Sequence, residues 1–250
     1  MMRKHLALWL SLLLWIGLNH PATATQNLPW QAKPKNADAV KTLVITGGHD
    51  HDADFYTVFA DDRIRAVVDP HPAAFRGDIR KRADVLVLYD YVREPLEEPR
   101  RRNLLAFAES GKGIVILHHA ICSHTDWPAW YETIAGGRWL FESAHGMPVT
   151  TYQHDEEMDI KIAGDHPITR GLKDFRIHDE TYKGLWISPK VKPLLTTEHP
   201  RSDKTVAWIS PYEKSRVVYI QLGHDRQANL NPNYQTLVRQ AILWAAGRLN

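Results

Sequence analysis

Histidines and aspartates stand directly after four short apolar segments of this sequence, where a strand gives way to a turn. The first segment leads into 43-LVITGGHDHDADFY-56, in which two glycines precede the polar residues. The residues that follow the four segments are His49 and His51, Tyr89 and Asp90, His118 and His119, and His224 and Asp225. Imidazole is the commonest metal ligand and a frequent acid–base group, so this pattern predicts a site for metal binding or proton transfer.

A divalent metal ion is the expected cofactor, and zinc is the expected metal because imidazoles dominate the set. The candidate ligands are His49, His51, His119 and His224. Neighbouring residues on an extended segment point to opposite sides, so only one of His118 and His119 should face the site. We expect His119 to do so, with His118 closing the strand as a buried residue.

Carboxylates and aromatic rings complete the predicted site. The predicted catalytic residues are His119, His224, Asp90 and Glu180, with Asp90 or Glu180 moving a proton. The predicted substrate contacts are Gly48, Tyr89, Trp127, His145 and Asp225. Glycine lets the backbone approach a ligand closely, and Trp127 belongs to an aromatic group whose flat rings can stack on a sugar.

The elements that must position these residues alternate between strand and helix. Five apolar runs without clear alternation are typical of strands covered on both faces: Thr42–Thr46, Ile64–Val68, Val85–Tyr89, Ile114–His118 and Val217–Leu222. Helices are predicted over Asp54–Ala60, Glu97–Ser110 and Tyr234–Ala246, whereas 148–216 reads as an insertion of strands and loops. This order predicts an α/β fold, a three-layer αβα sandwich with a mostly parallel sheet. Ligands of such sheets bind beyond the carboxyl ends of the strands.

The composition indicates a secreted protein with one domain. Arg3 and Lys4, the apolar run Leu6–Leu18 and the small residues up to Ala24 predict a signal peptide over 1–24. An N-terminal arm over 25–40 and a single domain over 41–250 follow, in the periplasm or outside the cell. The part after the leader carries 29 basic and 29 acidic side chains, which argues against nucleic acid or, after cleavage, a membrane as partner. A homo-oligomer is possible, and Cys122 is the single cysteine.

An ordered series of motifs resembles the ThuA-like (trehalose utilisation) family. The matching stretches are 45-ITGGHDHDADFY-56, 84-DVLVLYDY-91, 111-GKGIVILHHA-120, 135-AGGRWLFESAHG-146, 165-DHPITRGLKDFRIHDETY-182, 222-LGHD-225 and 242-ILWAAG-247. The resemblance implies a flavodoxin-like, class I glutamine amidotransferase-like fold and a role in disaccharide or keto-sugar catabolism. It also implies that His224 stands where that superfamily has its catalytic histidine, while His119 occupies the position of the superfamily's nucleophilic cysteine.

Three functional hypotheses remain open from the sequence. The first is a metal-assisted enzyme that hydrolyses, eliminates or isomerises a disaccharide or keto-sugar derivative. The second is a cysteine-dependent hydrolase or amidase that uses Cys122 and His224. The third is a non-catalytic periplasmic sugar-binding accessory protein. In each case the expected partner is a small-molecule carbohydrate.

Overall fold

The computed structural model describes residues 37–250. The predicted signal peptide lies outside these residues, as does the arm up to residue 36, so both stay predictions. Within the described part, no helix is long and apolar enough to cross a membrane.

Eleven strands and three α-helices make up the regular structure of residues 37–250. The strands are β1 (Val40–Gly47), β2 (Ile64–Pro70), β3 (Val85–Asp90), β4 (Gly113–Leu117), β5 (Gly137–Arg138), β6 (Thr151–Ile162), β7 (Phe175–Lys183), β8 (Trp186–Ile187), β9 (Lys192–Thr197), β10 (Thr205–Ile209) and β11 (Val217–Ile220). The helices are α1 (Glu98–Ala108), α2 (Arg226–Leu230) and α3 (Pro232–Ala245). Short 3-10 turns cover Ala53–Phe59, Ala73–Phe75, Ile79–Lys81 and His118–Cys122, and a π-helical turn covers Ala129–Ala135.

The parallel half of the main sheet contains the five strands that the apolar runs predicted. Its order is β2-β1-β3-β4-β11, and every neighbouring pair is parallel. The predicted fold class is thereby confirmed, with one local correction. The strand β4 ends at Leu117, and His118 begins a 3-10 turn with a left-handed backbone (φ 47°). The prediction that His118 closes the strand is therefore wrong.

The predicted insertion forms an antiparallel extension of the same sheet. The order continues from β11 through β10, β9 and β6 to β7, and these neighbours are antiparallel. The strand β7 is four positions from β11, which is about 19 Å in a flat sheet. Nevertheless, the Asp179 carboxylate of β7 accepts hydrogen bonds from the backbone N–H groups of Gly223 and His224. The extension must therefore curl over the carboxyl ends of the parallel strands.

Two apolar cores cover the two faces of the sheet. The helix α3 packs on one face, where Leu237 and Val238 meet Val115 and Leu117 of β4. The helix α1 packs on the other face with Leu104 and Phe107, against Ile116 and other residues. Because both faces are covered, the central strands β3 and β4 consist mainly of buried apolar residues. The predicted helix over Asp54–Ala60 is a 3-10 turn instead.

Candidate functional site

Three side chains converge beyond the carboxyl ends of β4 and β11. We call His118, Glu180 and His224 the site triad. His118 Nε2 lies 3.0 Å from His224 Nδ1 and 3.1 Å from Glu180 Oε2. His224 Nδ1 lies 3.4 Å from the same carboxylate oxygen. Ligand atoms about 2.0–2.1 Å from a zinc ion are separated by about 3.3–3.4 Å in a tetrahedron. The site triad therefore presents three donor atoms at close to metal-ligand spacing.

The sheet register explains why the two histidines meet. Ile220 of β11 is paired with Leu117 of β4, so His118 and the segment 221–224 leave the sheet side by side. Asp179 fixes that segment from the curled strand β7, because its carboxylate accepts hydrogen bonds from Gly223, His224 and Glu180 at 2.8–3.0 Å. The next residue of β7 then supplies the Glu180 carboxylate to the site triad.

The imidazole of His118 is oriented so that its Nε2 faces Glu180 and His224. His118 Nδ1 donates to the carbonyl oxygen of Gln221 at 2.6 Å. A backbone carbonyl on one ring nitrogen of a histidine commonly orients the other nitrogen for metal binding. The Tyr182 hydroxyl lies 2.9 Å from Nε2. The left-handed backbone of His118 costs about 1–2 kcal/mol in a non-glycine residue, and such strain clusters at functional sites.

The pKa values of the site triad are shifted by burial and by the charges of its own members. Burial raises the pKa of the Glu180 carboxyl, but the hydrogen bond and charge of His118 outweigh burial and hold that pKa below its usual value. Burial lowers the pKa of His118, but the hydrogen bond and charge of Glu180 raise it overall. Burial and the charge of His118 lower the pKa of His224 to about 4. The pKa shifts of Glu180 and His118 are those of a carboxylate that favours a positive charge beside it, and a proton on His118 or a bound metal ion can supply that charge.

More exposed side chains line the solvent side of the site triad. His154 Nδ1 lies 3.2 Å from Glu180 Oε1, and the His154 side chain is 47% exposed. Its ring lies 4.7 Å from that of His224, between centroids. Tyr152 is 57% exposed and its ring lies 5.2 Å from that of His154. His49 is also exposed, with its ring 5.8 Å from His224.

The structure brings together only some of the predicted metal ligands. Among the described residues, His224 is the only one of the four that belongs to a group of three or more side chains with metal-ligand spacing. His49 stacks on His119, with ring centroids 4.7 Å apart. His119 is buried, its Nε2 donates to the carbonyl oxygen of Tyr89, and burial lowers its pKa to about 2. His51 Nε2 lies 2.8 Å from the Tyr56 hydroxyl.

The predicted proton carriers lie in different clusters. Glu180 belongs to the site triad, whereas Asp90 belongs to a separate group with His71 and His124. Their predicted roles in catalysis stay predictions.

Structural contacts surround several predicted substrate residues. Gly48 lies against the backbone of Tyr91, so that a Cβ at Gly48 would lie 1.7 Å from the Tyr91 carbonyl oxygen. Tyr89 is buried and its hydroxyl donates to the Gly223 carbonyl. The Asp225 carboxylate accepts from Ala228 N–H and caps α2.

The two remaining predicted contacts lie beside other aromatic rings. Trp127 stacks on Trp130, with ring centroids 5.8 Å apart, and His145 packs against Trp186. For all five residues, substrate binding stays a prediction.

Sequence reasoning did not assign His118 and His154 to the site. The apolar run before His118 predicts an extended backbone there, and no local pattern marks its left-handed conformation. His154 lies in 152-YQHDEEMD-159, a polar stretch that looks like an ordinary exposed strand. Its position beside Glu180 depends on the pairing of β6 with β7, which the sequence does not indicate.

Comparisons with known proteins place the chain among sugar-utilisation proteins. The profile of the family described as trehalose utilisation (ThuA) matches residues 23–245. No curated protein matches the chain significantly.

Solved structures of low sequence identity share the fold. A ThuA-like protein from Parabacteroides merdae is 21% identical, with a TM-score of 0.73 over 85% of this chain and 92% of its own. A ThuA-like protein from Bacteroides uniformis is 19% identical, with a TM-score of 0.63 over 84% and 93%. A cytoplasmic protein from Salmonella typhimurium is 11% identical, with a TM-score of 0.59 over 82% and 99%.

Proposed function

The chain belongs to the trehalose utilisation (ThuA) family, and on that premise we propose that it is an enzyme that processes a disaccharide or keto-sugar derivative at the site triad. The observation that carries the proposal is the convergence of His118, Glu180 and His224 donor atoms within 3.0–3.4 Å of one another. His118 and His224 follow the carboxyl ends of β4 and β11, and Glu180 lies within β7. The left-handed backbone of His118 (φ 47°) is a kind of strain that clusters at functional sites.

The donor set fits a divalent metal ion, with zinc as the expected metal. His118 Nε2, His224 Nδ1 and one oxygen of Glu180 would hold the ion, a two-histidine, one-carboxylate set found in zinc enzymes. A bound ion of this kind polarises a carbonyl group or lowers the pKa of a water molecule. The buried surroundings of His118 and Glu180 strengthen any such electrostatic effect.

The residues at the opening have separate roles in this proposal. His154 exchanges protons with solvent, because it is half exposed and lies 3.2 Å from the Glu180 carboxylate. The Tyr182 hydroxyl keeps its proton near neutral pH, since burial raises its pKa well above the usual value. It can therefore donate a hydrogen bond within the site. The exposed ring of Tyr152 offers a surface on which a sugar can stack.

Proton transfer next to a sugar ketone suits this site better than a double-carboxylate glycosidase mechanism. Such a glycosidase needs two free carboxyl groups on either side of the bond. The carboxylate next to Glu180 in sequence is Asp179, and both of its oxygens already accept backbone N–H groups. Glu180 is thus the single carboxylate of the site triad, which favours elimination, hydration or isomerisation of a keto-sugar.

The cysteine-dependent alternative has less support. Cys122 is buried, and burial raises the pKa of its thiol well above the usual value. A cysteine nucleophile needs a lowered pKa and access to substrate, and neither condition is met here.

Elemental analysis of the purified protein tests the metal part of the proposal. We expect zinc, or another divalent metal supplied in its place, to bind at the site triad and to be lost in His118→Ala and His224→Ala. His166→Gln is the matched control, because His166 is a partly buried histidine that packs on Trp244 of α3, outside the site triad. Unchanged metal content in both triad variants would contradict the assignment.

Turnover assays test the chemical part of the proposal. The protein should convert 3-keto-disaccharides faster than the parent disaccharides, and Glu180→Gln should lower kcat by about 100-fold or more. Sugar binding without conversion of either substrate class would instead indicate a binding protein.

A further inference from the structure

A second group of potential metal ligands lies apart from the site triad in the part of the chain that the structure describes. His71 follows β2, Asp90 ends β3, and His124 follows the 3-10 turn after β4. One donor atom from each residue lies within 4.8 Å of the others. We call these residues the buried cluster. Two imidazoles and one carboxylate form a donor set that suits a divalent transition metal.

The buried cluster contains polar atoms that no described protein group satisfies. Asp90 is fully buried and His124 is 3% exposed. Asp90 Oδ2 accepts a hydrogen bond from His71 Nδ1 at 2.8 Å, but Asp90 Oδ1 has no hydrogen-bond partner. His124 Nε2 has no partner either. A buried carboxylate oxygen without a partner is costly, and such atoms often mark an ion or an ordered water.

The ring of His124 is enclosed by aromatic side chains. Its ring packs edge-on against Phe75 and Trp130 and stacks against the ring of His71, with the two centroids 5.8 Å apart and the planes inclined by 28°. Its backbone is left-handed (φ 59°), an uncommon conformation for histidine. A buried imidazole nitrogen without a hydrogen-bond partner, in the same cluster as a carboxylate, is well suited to bind a metal ion.

We propose that His71, Asp90 and His124 bind a second divalent transition-metal ion with a structural role. The ion satisfies Asp90 Oδ1 and His124 Nε2 and joins the segments that follow β2, β3 and β4. The turn His118–Cys122 leads directly to His124, so an ion in the buried cluster also restrains the turn that carries His118 of the site triad. The two ligand sets share no residue, so a substitution in one set leaves the ligands of the other in place.

Metal stoichiometry in cobalt and zinc titrations of the full chain tests this proposal. Asp90→Asn keeps the shape of the aspartate, and His124→Asn uses a residue that tolerates the left-handed backbone. We expect each variant to bind one equivalent fewer than the wild-type protein. His224→Ala should keep the equivalent that these variants lose, and His166→Gln should bind as much as the wild type.

Equal stoichiometry in wild type, Asp90→Asn and His124→Asn would overturn the proposal and would indicate that water fills the buried cluster. If those variants do not fold, the His224→Ala protein decides the question. One bound cobalt ion per chain, with the visible absorption of a nitrogen- and oxygen-ligated site, would support the buried cluster. No bound cobalt in that variant would refute it.

Discussion

Replacing Gly48 by alanine is expected to lower the free energy of unfolding by about 2–5 kcal/mol. Gly48 has a left-handed backbone (φ +76°), and the added Cβ would lie 1.7 Å from the carbonyl oxygen and 2.7 Å from the carbonyl carbon of Tyr91. The left-handed conformation costs an alanine about 1–2 kcal/mol. Displacement of a packed backbone adds about 1–3 kcal/mol. The Tyr91 N–H donates to Gly47 at 2.8 Å, so Tyr91 cannot move without disturbing the end of the sheet.

Gly146→Ala is the matched control for this experiment. Gly146 has nearly the same backbone angle (φ +73°), but nothing lies within 4 Å of its added Cβ. It should therefore lose only the conformational part, about 1–2 kcal/mol. Thermal or urea unfolding measures the free energy of unfolding of both variants. Each kcal/mol lost corresponds to a decrease of about 2–4 °C in Tm for a protein of this size.

Equal losses in the two glycine variants would refute the steric reasoning. A Gly48→Ala protein as stable as Gly146→Ala, but with weaker sugar binding, would support the predicted role of Gly48 in contacting substrate. A large loss of stability in Gly48→Ala would show that the close contact with Tyr91 is sufficient to require a glycine at this position, without a contact to substrate.

Three further predictions concern single side chains. Tyr152→Ala should raise KM for the sugar substrate by about tenfold, equivalent to ~1.4 kcal/mol, because an exposed stacking ring is removed. Tyr212→Ala is the control and should leave KM unchanged, so an equal rise of KM in both variants would contradict the role of Tyr152. The Cys122→Ala variant should turn over substrate as fast as the wild type. Iodoacetamide should label Cys122 only after unfolding, because the thiol is buried, and fast labelling of the native protein would argue for the cysteine mechanism. Burial lowers the pKa of His166 in the folded protein, where its Nδ1 accepts a hydrogen bond from the Ile168 N–H. As the pH drops below about 6.5, this histidine therefore binds a proton in the unfolded chain before it does so in the folded protein, and the free energy of unfolding falls. In melting curves at pH 7 and 5.5, His166→Gln should lose less stability than the wild type; an equal or greater loss would contradict this.

The sequence was sufficient to predict the parallel half of the sheet. Runs such as Val85–Tyr89 and Val217–Leu222 are apolar on both faces, which identifies strands that helices cover on both sides. The carboxyl ends of parallel strands meet at one edge, so the position of His224 near the residues after β4 followed from the strand pattern alone. The long periodic helix α3 was predicted to within a few residues for the same reason.

The antiparallel extension could not be predicted in the same way. Its strands are polar on the exposed face, and burial of β6 begins only at Met158. The curl that carries Glu180 and His154 to β11 depends on hydrogen bonds that Asp179 accepts from the N–H groups of residues 44 and 45 positions further along the chain. No local pattern records such contacts.

Residue types and strand order therefore determined that a histidine-rich site lies at the carboxyl edge of the sheet. Only the tertiary structure decided that His118, rather than His119, points at Glu180 and His224, and that Asp90 belongs to a different cluster. The physical reason is that strand periodicity is a local property of the chain, whereas the left-handed turn at His118 is held by Gln221 and Tyr182, which are distant in sequence.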